Sequence, residues 1–157
     1  MANVNDVAAY VLSKQGKMST MKLQKLLYYC QAWHLVWDEE PLFDADFQAW
    51  ANGPVVYEIY DQHRGCFSVD EWESGDPHNV PQQAAGIIDD VLADYGSLAG
   101  HQLSRLTHSE DPWRDARGDL GASERSGQTI GKERIRDYYT ALSANDEATL
   151  VSEINWN

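Results

Sequence analysis

A chain of 157 residues that is 43% hydrophobic, with six Trp and eight Tyr, can fill one packed core; such a composition excludes a disordered tail. A formal charge of −13 argues against nucleic-acid binding, because an acidic surface repels phosphate. No apolar run reaches the ~18 residues of a membrane span, and Cys30 and Cys66 set neither a disulfide framework nor a metal spacing.

The first residues, Met1 to Asn5, carry neither the basic region nor the apolar core of an export signal, so a cytoplasmic location is expected. Val4, Val7, Ala8, Val11 and Leu12 recur at helical spacing, and Gly16 supplies a C-terminal cap. Next, Leu23, Leu26, Leu27, Cys30, Trp33, His34 and Trp37 form one broad apolar stripe. This predicts a central core helix, capped by Ser19 or Thr20, with Lys22, Lys25 and Gln31 turned to water. The acids Asp38, Glu39 and Glu40 oppose the helix dipole, and with Pro41 they end it. Phe47, Ala49 and Ala51 then alternate with Gln48 and Trp50, the period of a half-buried strand. Asn52-Gly53 reads as a turn and Pro54 as the first residue of a helix over 55–61, with Val55, Val56, Ile59 and Tyr60 on its apolar face. Leu26, Leu27, Trp33 and Trp50 are expected to be substantially buried.

Residues 64–80 read as a surface loop anchored by Phe67, Val69 and Trp72. Ala84, Ile87, Ile88, Val91, Leu92 and Tyr95 predict a helix stopped by Gly96, followed by a helix over 98–107 capped by Ser97. The pair has helix-turn-helix spacing, but its second helix offers only Arg105 as a base and its first carries Asp89, Asp90 and Asp94. A helical corner fits better than a DNA reader. Ser109 or Asp111 can cap a short helix to Arg117, with Pro112 at its start and Trp113 turned inward. A glycine-rich loop follows over 118–131, then a last helix over 132–142. The tail 143–157 is polar apart from Leu150, Val151, Ile154 and Trp156, which could dock on the body or on a partner. The expected fold is mainly α, on the borderline of α+β: one helical domain over 1–142 with a small β-hairpin, formed near 42–43 and 47–51, before the Gly-Pro helix.

The run Lys22, Leu23, Gln24, Lys25, Leu26, Leu27 and Tyr28, then Trp33-His34, Trp50 and Gly53-Pro54-Val55-Val56, resembles the Panacea domain, also described as SocA-like or phage-associated GepA-like. The resemblance continues at His108 and at Asp111-Pro112-Trp113. It implies an antitoxin of a bacterial or prophage type II toxin–antitoxin system, which neutralises a cognate protein toxin by direct binding. The toxin would be encoded by the adjacent gene; alarmone-synthetase-like enzymes that block translation by modifying tRNA are among the toxins of such families. The SocA branch implies an alternative, in which the antitoxin is a proteolytic adapter for a Clp-type protease.

From Asp38 to Asp76 there are eleven acids against the single base Arg64, a net −10. Glu39, Glu40, Asp44, Asp46, Glu58 and Asp61 are the candidate partner-binding residues, suited to steering a basic toxin. A purely solubilising role is the plainer reading of the same charge. An enzyme reading rests on His101 and His108, with Glu110 and Asp111, as a metal-dependent hydrolase site. Against it, no metalloprotease, nucleophile-elbow or phosphate-loop pattern occurs, and a histidine beside a helix cap is usually structural. No catalytic, cofactor-binding or metal-binding residue is therefore assigned.

Overall fold

The computed structural model describes residues 1–121 and 123–145. It opens with α1 (Val4–Gln15), capped by the Asn3 side chain and closed by Gly16 at φ 77°. A two-residue strand β1 (Met18–Ser19) leads into α2 (Thr20–Trp37), whose first turn is capped by Ser19 Oγ accepting from Lys22 N at 3.0 Å. The hairpin β2 (Phe47–Trp50) and β3 (Gly53–Val56) passes directly into α3 (Tyr57–His63). After β4 (Ser68–Val69) and a single 3-10 turn come α4 (Gln82–Tyr95), α5 (Gly100–His108), α6 (Asp111–Arg117), β5 (Thr129–Ile130) and α7 (Lys132–Ala144). The fold is mainly helical with small sheets, as expected.

Every residue from Leu23 to Leu35 is buried, so α2 has no solvent face over most of its length. It packs against α1, α4, α5, α7 and β3. A helix surrounded in this way is a core element rather than an amphipathic surface helix. Leu23, Leu26, Leu27, Cys30 and Trp33 are buried as the stripe requires. Lys25 and Gln31 are buried too, and Lys22 is half-buried with Nζ donating to Gly96 O at 2.6 Å. The expectation that these three face water is therefore wrong. Trp37, at the open end of the stripe, is 45% exposed.

The Gly-Pro unit is also corrected. Gly53, Pro54, Val55 and Val56 form an extended strand antiparallel to β2, with Phe47 opposite Val56 and Trp50 opposite Gly53. The helix begins only at Tyr57. Proline suits this position because β3 is the edge of the three-stranded sheet β3-β2-β5, where one missing donor is tolerated. Residues 42–43 do not pair with β2; Phe43 bridges Ala2 at the N-terminus, and Ala2 N donates to Leu42 O at 2.7 Å. The partner that β2 gains instead is β5, from within the expected glycine loop.

The remaining elements follow the sequence with shifted ends. Gly96 closes α4, but α5 starts at Gly100, where Ala99 N donates to Gln102 Oε1 and Ser97 takes no capping role. In the 64–80 loop, Val69 pairs with Met18 and Trp72 is buried with Nε1 donating to Asn5 Oδ1 at 3.0 Å. Phe67, the third expected anchor, is 85% exposed. Leu150, Val151, Ile154 and Trp156, the apolar residues of the tail, lie outside the described residues.

Candidate functional site: a sealed polar centre and an exposed aromatic surface

Two long polar side chains of α2 hold the hairpin. Gln24 reads β3 as a strand neighbour would: its Oε1 accepts from Val56 N at 2.9 Å and its Nε2 donates to Val56 O at 3.3 Å. The same amide nitrogen lies 3.0 Å from His63 Nε2. An amide N–H₂ can only donate there, so His63 accepts at Nε2, consistent with burial lowering its pKa. Lys25 Nζ donates to Pro54 O at 2.9 Å. Burial pulls its pKa down to about 7, so near neutrality the amine is shared between its charged and uncharged forms inside the core. Gln31 repeats the device two turns further along the same face of the helix, accepting from Leu42 N and donating to Phe43 O, both at 2.8 Å. Gly53 belongs to the same arrangement. Its φ is 117°, and a Cβ there would sit 2.5 Å from Lys25 Cε and 2.9 Å from Thr107 Oγ1. His34 Nδ1 lies 2.6 Å from Glu40 O, closing the chain back onto the end of α2.

A second polar centre lies around Glu110. Its carboxylate accepts from Tyr29 OH at 2.5 Å and Tyr139 OH at 2.8 Å, and the Tyr28 hydroxyl lies 3.2 Å from that of Tyr139. Tyr29 stacks on Tyr95 at 4.2 Å, and Tyr95 OH accepts from Trp33 Nε1 at 2.9 Å. Burial pushes the Glu110 pKa up to about 7, with the two tyrosine hydroxyls partly offsetting it. The sequence offered Glu110 as one carboxylate of the hydrolase alternative. It precedes α6, but it is buried and joins α2 to α7. The missed signal was the three tyrosines Tyr28, Tyr29 and Tyr139 on apolar helix faces, each requiring a polar partner once buried.

His101 and His108 share α5, which does not end between them as expected. They diverge all the same: His101 is exposed, whereas His108 lies flat on Trp113 at 3.9 Å between ring centroids. Burial and the charges of Lys25 and Arg117 lower the His108 pKa, and a backbone hydrogen bond to Ala51 opposes them. Its Nε2 is buried without a hydrogen-bond partner among the described residues. Trp113 Nε1 donates to Trp50 O at 2.8 Å, and Pro112 is buried at the start of α6 while Asp111 is exposed. Buried Arg117, which the sequence reading took only as a helix end, donates to the Ala49, Gly121 and Glu124 carbonyls. Among the described residues no three of His, Cys, Asp and Glu gather in a group that could hold a metal ion. Trp113 and Arg117 act as braces, their side chains satisfying backbone carbonyls of the hairpin and of the segment after α6.

The six acids proposed for partner binding are all exposed, on three stretches. Glu39 and Glu40 follow α2 beside the exposed Trp37. Asp44 and Asp46 share Lys132, whose Nζ donates to Asp44 O at 2.7 Å and Asp46 Oδ1 at 2.6 Å. Glu58 and Asp61 lie on α3 beside a cluster that sequence reasoning missed. Trp50 packs edge-on against Tyr60 at 4.7 Å and Tyr57 at 6.3 Å, while Tyr57 and Tyr60 lie 5.9 Å apart. Trp50 is half-buried rather than in the core. The strand alternation already implied this, since Trp50 shares a face with Gln48 and opposes buried Phe47 and Ala49.

A family model described as antitoxin SocA-like, Panacea domain, matches residues 23–114. The match spans α2 to α6, including the hairpin and its braces, and covers more than half of the chain. The chain belongs to the SocA-like antitoxin family, and its central unit is the Panacea domain. No curated protein and no solved structure matches it.

Proposed function

We propose that this protein is an antitoxin that neutralises a cognate protein toxin by direct binding, and that it is not an enzyme. Family membership supplies the class. The observation that carries the mechanism is the division of its polar groups. Those with the chemistry of acid, base or amine are taken up by the fold, Glu110 and Lys25 buried and hydrogen-bonded and His108 stacked on Trp113, whereas the exposed charge is predominantly acidic. An inhibitor by occlusion needs a complementary surface and no reacting group. The partner this favours is basic, as a toxin that engages RNA would be, and the natural candidate is the product of the adjacent gene, with translation as its target.

The test is co-expression. The adjacent gene product should arrest growth alone and be tolerated with this protein, and the two should co-purify as a stable complex. Toxin half-life separates occlusion from delivery to a Clp-type protease: occlusion leaves the toxin as long-lived as before. A toxin that binds but is not neutralised would overturn the reading. His108→Asn protein that folds and binds yet fails to rescue growth would restore a catalytic one.

A further inference from the structure

We infer that the outer face of the β2–α3 unit, centred on Trp50, Tyr57 and Tyr60, is the docking surface for an arginine-bearing segment of the protein partner. The inference rests on the antitoxin reading and names the surface that reading leaves open.

Tyr57 is 46% exposed, and Trp50 and Tyr60 are each half-buried. Half-exposed tryptophan and tyrosine in mutual contact, held on a rigid strand and helix, are the residues that dominate interface energetics. The unit beneath them is fixed by Gln24 and Lys25 from the core helix, so the rings are presented by a braced element. That pre-organisation lowers the ordering cost of binding.

Arg64 shows what chemistry this surface accepts. Its guanidinium lies 5.3 Å from the Tyr60 ring centroid, 2.9 Å from Tyr57 OH and 3.0 Å from Asp61 Oδ1. One arginine of the chain itself is thus held by a ring face, a phenol and a carboxylate together. Glu58 and the free side of Asp61 leave the rim with net negative charge, so further cations are favoured there. The same rim argues against the other occupants. A second copy related by a two-fold axis would set Glu58 and Asp61 near their own equivalents, and RNA would bring phosphates to carboxylates.

The probe is the purified product of the adjacent gene, titrated against the full chain by calorimetry. Trp50→Ala, Tyr57→Ala and Glu58→Lys should each weaken binding by about 30-fold or more. Asp90→Lys on α4 makes the same charge change as Glu58→Lys and should leave affinity within about threefold, since rim-distant surface charges matter little. Tyr57→Ala guards against a folding artefact, because an exposed first residue of α3 can be removed without opening the core; melting curves confirm it. Arg64→Ala vacates the ring face and adds negative charge, and should bind at least as tightly as wild type. Wild-type binding that all three patch variants retain would overturn the docking surface and leave the antitoxin reading intact. Loss of binding in Arg64→Ala, or a wild-type dimer that Tyr57→Ala converts to monomer, would also overturn it. A wild type that neither binds nor neutralises the adjacent product would remove the antitoxin reading itself.

Discussion

At the scale of single residues, Gly53 and Glu110 show how narrow the constraints are. Gly53 combines a φ of 117° with a Cβ direction already filled by Lys25 Cε and Thr107 Oγ1. Gly53→Ala therefore meets both backbone strain and overlap, and should cost at least ~2 kcal/mol in a urea melt. A variant as stable as wild type would show that Lys25 can move aside freely. Glu110 makes a prediction in pH. Its carboxyl has a folded pKa of about 7 against an ordinary 4.5, so between those values the folded protein keeps a proton that the unfolded chain releases. Stability from this group is fully present below pH 4.5 and is lost as pH rises through 7, by roughly 3 kcal/mol at ~1.4 kcal/mol per unit. The groups facing it from α2, α4 and α7 are the tyrosines Tyr28, Tyr29, Tyr95, Tyr138 and Tyr139, which stay neutral in that window because their own values are raised. Comparing wild type with Glu110→Gln at pH 5 and pH 7.5 isolates the effect, and the variant should lose less stability between the two. Equal losses would place the proton elsewhere.

At the scale of elements, α2 explains both what could be read from the sequence and what could not. Its apolar stripe at Leu23, Leu26, Leu27, Cys30 and Trp33 was legible because helical periodicity depends only on local spacing. Leu27 is fully buried, and Leu27→Ala should cost ~2–5 kcal/mol through lost transfer energy and a cavity, measured by chemical denaturation. The burial of Gln24, Lys25 and Gln31 was not legible. A polar residue opposite an apolar stripe normally marks a solvent face, and nothing local announces that backbone 11 to 32 residues further along the chain will take its hydrogen bonds. The Gly-Pro error has the same origin. Proline after glycine fits a helix start on local rules, but Lys25 and Gln24 bind Pro54 O and both backbone groups of Val56 in the extended form, so tertiary contacts decide it. Gln24→Ala tests that account: it leaves the Val56 N–H buried and without its Gln24 acceptor, at ~1–3 kcal/mol. Hydrogen exchange at Val56 should speed up in this variant more than at residues in the middle of α4. The family signature at Gly53-Pro54-Val55-Val56 was thus visible as a pattern before its physical reason was. The aromatic patch was missed for a different reason: Trp50 was grouped with Leu26, Leu27 and Trp33 as a buried residue, although its strand position put it on the outer face.

At the scale of the whole molecule, charge connects fold to function. Most of the acids lie at the surface, so the formal −13 is carried mostly by exposed carboxylates. An exposed field of one sign acts on association rate more than on stability, because long-range attraction gathers an oppositely charged partner before contact, whereas isolated surface charges contribute little to folding. Glu39 and Glu40 are suitable probes, since both are exposed and lie outside the aromatic patch on α3. Glu39 holds a φ of 63°, and lysine inherits that backbone constraint unchanged, so the double change Glu39→Lys, Glu40→Lys alters charge with little effect on fold. Stability should remain within ~0.5 kcal/mol of wild type. Association with the basic partner at low salt should slow by roughly tenfold, while the dissociation rate moves little. Raising ionic strength from about 0.01 to 0.15 M shortens the screening length from ~30 to ~8 Å, and should bring the two on-rates together. Stopped-flow association across a salt series reads both effects. On-rates that match at every salt concentration, with neutralisation intact, would mean that these two acids serve solubility alone, and that any steering comes from the patch around Glu58 and Asp61.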